Sequence, residues 1–139
     1  MEWTNKEQSE KLMSLGINPG TADLTLKALV TDSRGTGINS PKWVMITMPF
    51  QDLVKDTPKG FEAYEYLPSW SPLKLFQLLP DMVSDGTYKY QLYMNHNYIY
   101  YKNTINVIPG NYCYFEINDN NYIEALLDII EFLKARGNL

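Results

Sequence analysis

The chain has 139 residues, of which 45% are hydrophobic, 14% aromatic and 20% charged, a mixture that suits one soluble globular domain spanning 1–139 and excludes a disordered or collagen-like chain. No apolar run reaches the roughly 18 residues of a membrane helix, and a net charge of -4 works against wholesale binding to nucleic acid or an anionic membrane. Cys113, the single cysteine, excludes an internal disulfide; a start, Met1 to Asn5, without basic and apolar leader regions implies a reducing, cytoplasmic setting.

Thr4 stands three residues before Glu7, the spacing of a capping box, and Leu12, Met13 and Leu15 cluster before Gly16. This predicts a helix over residues 5–15, lying on the surface with only its last turn packed. Pro19-Gly20 marks a turn, Asp23 to Leu29 reads as a short helix, and Ser33 to Gly37 as a loop. Lys42 to Met48 is β-rich and stops at Pro49, which cannot donate to a ladder. Phe61 to Leu67 is a candidate edge strand. Ser71-Pro72 combines a strong N-cap with the residue favoured at the first helical position, predicting a short helix to about Leu79.

From Thr87 the apolar period changes to two. Tyr88, Tyr90, Leu92 and Met94 fall on one face of a strand, Thr87, Lys89, Gln91 and Tyr93 on the other. Asn95 to Asn97 is a tight connection, Tyr98 to Ile108 the return strand, Pro109-Gly110 a turn, and Tyr112 to Ile117 a third strand. Ile123, Leu126, Leu127, Ile130 and Leu133 then recur at helical spacing, with Lys134 and Arg136 where positive charge complements the helix dipole. The predicted architecture is α+β: an antiparallel three-stranded meander, with room for a fourth strand, packed against a C-terminal helix, with short N-terminal and central helices.

Three segments carry a family resemblance: EQSEKLMSLGINPGTADL, WSPLKLFQLLP and EALLDIIEFLKARGNL. In these the chain resembles a group of small uncharacterised proteins that recur in gut Bacteroidales genomes, often among prophage or other mobile-element genes; Thr25 to Leu67 departs from the group's pattern. The resemblance implies a mobile-element setting and adds no active site.

Catalytic chemistry finds little footing. His96, the one histidine, sits between two asparagines at a hairpin tip, where a solvated turn residue is expected. Cys113 falls on the inward face of its strand, the place of an inert thiol rather than an activated nucleophile. A structural zinc needs about four Cys or His ligands, and the chain has one of each. Ser33 to Gly37 lacks the spacing of either phosphate-binding glycine loop. Glu62 and Glu65, or Asp81 and Asp85, are the carboxylate pairs available for acid and base work, and they define the alternative of a small enzyme. No catalytic residue, cofactor or metal is assigned.

The tyrosines stand out. Alternation sets Tyr98 and Tyr100 opposite Ile99 and Tyr101, and Tyr112 and Tyr114 opposite Cys113 and Phe115. Tyr98, Tyr100, Tyr112 and Tyr114 are therefore expected to share the sheet face turned away from the last helix. They form a candidate interaction surface for a protein partner or self-association, or, as an alternative, for single-stranded nucleic acid. The local charge, Lys89 and Lys102 against Glu116, is far from a basic groove. The expected function is a non-enzymatic accessory or protein-binding domain.

Overall fold

Asn5 starts the first helix. In the computed structural model, which describes residues 3–103, 105 and 111–139, its side chain accepts from the Gln8 amide while the Gln8 side chain accepts from the Asn5 amide, a reciprocal cap on helix α1 (Lys6–Ser14). The expected cap, Thr4, lies one residue too early, and its hydroxyl is used elsewhere. Thr4 is buried, donates its amide to the Trp70 carbonyl at 2.9 Å, and accepts from the Trp70 amide through its Oγ1 at 3.0 Å. Ser9 and Ser69 complete this cluster, with Thr4 Oγ1 2.8 Å from Ser9 Oγ. Because Gln8, Ser9 and Leu12 are all buried, α1 packs along most of its length, not by its last turn alone. A face built from small hydroxyls leaves no hydrophobic stripe to read, which is why periodicity places the helix on the surface.

The chain divides into two compact units, one running to Lys74 and one over Leu75–Leu139, each with its own antiparallel sheet. In the first, β1 (Leu24–Thr31) lies between β2 (Val44–Ile46) and β3 (Ala63–Ser69). The short helix expected over Asp23 to Leu29 is thus a central strand. Its Leu-Thr-Leu-Lys-Ala-Leu run suits either state, and ladders on both sides, which propensity cannot see, decide the outcome. Phe61 to Leu67 maps onto β3, an edge strand, as expected. Between β2 and β3, Gly60 (φ 59°) approaches the Ser33 carbonyl so closely that a Cβ there would lie 2.8 Å from its oxygen.

The second unit is a four-stranded meander, β4 (Met82–Ser84), β5 (Lys89–Met94), β6 (Tyr98–Asn103) and β7 (Asn111–Glu116), paired in chain order. Helix α2 (Pro72–Gln77) begins where Ser71 Oγ accepts from the Lys74 amide, as the Ser-Pro pair predicts. The fourth strand is Met82–Ser84, three residues that carry too little pattern to be seen in sequence. The part of the expected return strand beyond Asn103 lies mostly outside the described residues. Helix α3 (Tyr122–Ala135) buries Ile123, Leu126, Leu127, Ile129, Ile130 and Leu133. Phe132 of α3 meets Phe115 of β7 edge to face at 6.0 Å, setting the helix against the sheet face that carries Ile99, Tyr101 and Cys113. Among the described residues, no helix is long and apolar enough to cross a membrane.

Candidate functional site

The β5–β6 hairpin is set by Asn95. Its side-chain oxygen accepts from the amides of Asn97 and Tyr98, both at 2.9 Å, and its own amide donates to the Tyr98 carbonyl. This turn fixes the register that sets Tyr93 opposite Tyr100 and Leu92 opposite Tyr101. On the next pair Tyr100 faces Tyr114 and Tyr101 faces Cys113. Because directly opposed residues share a face, Tyr93, Tyr98, Tyr100 and Tyr114 come together on the side away from α3.

Their rings form a connected cluster. Tyr93 and Tyr100 lie 5.7 Å apart and 17° from parallel, Tyr98 and Tyr114 4.5 Å apart at 27°, and Tyr100 and Tyr114 5.2 Å apart at 46°. Strand side chains stand roughly perpendicular to the sheet, and the near-parallel pairs, Tyr93 with Tyr100 and Tyr98 with Tyr114, stack ring face to ring face. Tyr93 is 43% and Tyr114 50% exposed, and Tyr98 and Tyr100 are half-buried by their neighbours. Burial within the cluster, then the neighbouring Tyr98 and Tyr100 hydroxyls, push the Tyr114 hydroxyl up from its ordinary value, so at neutral pH it remains a donor.

Of the four tyrosines expected on this face, three are there and Tyr112 is not. The ladder slips between Tyr101 and Lys102, a β-bulge that pairs Lys102 with Asn111 and leaves Tyr112 as the extra residue. Tyr112 turns to the helix side, edge to face with Phe132 at 5.4 Å and with Tyr90 at 5.0 Å, its hydroxyl accepting from Asn138 Nδ2 at 2.8 Å. Strict alternation across an unseen bulge produces this error. Tyr93 takes its place in the cluster, because the turn is centred between His96 and Asn97 and so sets position 93 opposite position 100.

The groups weighed for chemistry have other employment. Cys113 is 8% exposed, and burial pushes its thiol up to about 11, the reverse of an activated nucleophile. His96 is exposed at the hairpin tip. In the Ser33 to Gly37 loop, the Arg34 and Thr36 amides that a phosphate would need donate to Asp32 Oδ1 at 2.9 and 3.0 Å. Glu62 accepts from the Lys59 amide. Asp85 accepts from the Tyr88 and Thr87 amides and, through Oδ2, from the Tyr90 hydroxyl at 2.8 Å; these bonds hold its carboxyl below the usual carboxylate range and make it a turn-forming group. Arg136, beside Asp85 in an open depression with Tyr90 and Tyr112, lies over the Phe132 ring at 3.5 Å and donates to the Phe132 carbonyl. Among the described residues, no three His, Cys, Asp or Glu side chains gather in a metal-binding group. The chain matches no protein-family model, and no curated protein or solved structure is significantly similar to it.

Proposed function

We propose that this is a non-enzymatic accessory domain that recognises a protein partner through the outer face of its four-stranded sheet, with Tyr93, Tyr98, Tyr100 and Tyr114 as the contact residues. The observation that supports the reading is the connected tyrosine cluster on the face away from α3, with Tyr93 and Tyr114 exposed. Tyrosine supplies large contact area at low entropic cost and keeps a hydroxyl for directed bonds, which is why it is enriched at protein interfaces. The single cysteine suits a reducing, cytoplasmic setting, and the resemblance of three segments to mobile-element proteins favours an accessory role there.

Ring packing and charge both favour protein over single-stranded nucleic acid. A stacked base needs an open ring face, and here the faces turn toward each other. The flanking charge is two lysines against one acid in a chain of net charge -4, too little for a backbone-tracking groove. The test is to measure unfolding and partner capture on the same samples of wild type, Tyr100→Ala and Tyr114→Ala. A captured host protein lost by variants that remain folded supports the reading. A stability loss of about 3 kcal/mol with unchanged capture would instead mark the face as an internal core. A partner affinity that falls steeply with salt would point to nucleic acid.

A further inference from the structure

The tyrosine face carries its charges in a self-complementary pattern. Lys102 lies two residues beyond Tyr100 on β6, and Glu116 two residues beyond Tyr114 on β7; both are exposed, and neither has an ion-pair partner among the described residues. Tyr100 and Tyr114 are directly opposed on antiparallel strands. The two charges therefore stand at opposite ends of the pair, about 13 Å apart along the strands at about 3.3 Å per residue. We propose that the occupant of this face is a second copy of the chain, packed face to face about a two-fold axis parallel to the Tyr93–Tyr100–Tyr114 row.

This inference rests on the tyrosine face being a protein-recognition surface and names its partner. A rotation about that row returns Tyr100 onto Tyr100 and Tyr114 onto Tyr114, and exchanges the two ends of the face. Lys102 of each copy then stands over the end that holds the other's Glu116, making two equivalent ion pairs around a tyrosine centre, the signature of a closed isologous contact. Three six-residue strands and the three-residue β4, about 4.8 Å apart at about 3.3 Å per residue, give a face of roughly 330 Å², under half the roughly 800 Å² per partner of a standard interface. The dimer is accordingly weak, with a dissociation constant in the micromolar range or above.

Sedimentation equilibrium over about 5 to 500 µM tests this on the full chain. The expected result is a monomer–dimer equilibrium in which Lys102→Glu and Glu116→Lys each weaken association at least fivefold, while the double variant Lys102→Glu/Glu116→Lys, which exchanges the charges, regains most of it. Circular dichroism melts confirm that all three variants fold. A wild type that stays monomeric across the range overturns the proposal, as does a dimer indifferent to both single reversals or a double variant weaker than either. Open-ended growth beyond dimer overturns the two-fold geometry. If the chain is monomeric but a captured host protein is lost on Tyr114→Ala, the second-copy assignment fails and the recognition surface stands. If it is monomeric and capture ignores the tyrosines, both fail.

Discussion

Tyr100 and Tyr101 are neighbours on one strand, yet they belong to two different environments. Tyr101 is fully buried, its hydroxyl donating to the Pro80 carbonyl at 2.6 Å, and desolvation pushes that hydroxyl well up from its ordinary value. Tyr100 stacks between other tyrosines on the open side. The same residue type is core on one face and surface on the other, and the difference lies in what stands opposite and above: Cys113 and the helix side for one, Tyr114 and solvent for the other. Composition alone cannot tell these apart, because tyrosine is a good strand former in both settings.

The largest effect that can sharpen this contrast comes from the helix side. Leu126→Ala or Ile130→Ala, each removing a fully buried side chain, is expected to cost about 2 to 5 kcal/mol in urea unfolding. A loss below about 1 kcal/mol at both would remove α3 from the core. Next comes a pair two positions apart on β7. Tyr112→Ala strips two edge-to-face ring contacts and a hydroxyl bond and should cost about 2 kcal/mol. Tyr114→Ala, on the open face, should cost about 1 kcal/mol or less; equal losses at the two positions would break the assignment of faces.

Titration separates the faces again. The folded pKa of Cys113 is raised, from an unfolded value near 9 to about 11, so its contribution is fully present below pH 9 and is lost as pH rises toward 11. The loss should be about 1 to 2 kcal/mol, seen as an alkaline fall in stability that is smaller in Cys113→Ala. Asp85 runs the other way. Its folded pKa is depressed, so its turn is supported above the unfolded pKa and weakens as pH falls through the folded one. Because this carboxylate is exposed, Asp85→Asn should flatten the acid limb only slightly, the smallest of these effects.

The elements legible in sequence are those with a strong period or cap. α3, with Leu126, Ile130 and Leu133 at helical spacing, and the alternating strands around Asn95 are read correctly because one face of each is more covered than the other. β1 is not legible, since Leu24 to Val30 has both helix and strand formers and its state is fixed by partners far along the chain, Met45 opposite Leu26 and Tyr66 opposite Lys27 among them. The packed side of α1 is missed because Thr4, Ser9 and Ser69 build a core from hydroxyls. At the candidate site, Tyr98, Tyr100 and Tyr114 are legible from alternation. Tyr112 is lost to a bulge, which leaves no mark in a sequence read one strand at a time, and Tyr93 is legible only once the hairpin register is set.

The bonds between Thr4 and Trp70 also bear on how the first unit can be handled as a piece. The amide and hydroxyl of one end of the segment meet the backbone of the other, with Trp70 further held by its indole nitrogen donating to Thr21 Oγ1 at 3.0 Å. Entry and exit are therefore a hydrogen bond apart. Such a closed segment suits circular permutation: a short linker from Trp70 back to Thr4 spans almost no distance, and new ends can open at an exposed loop tip such as Arg34 to Thr36.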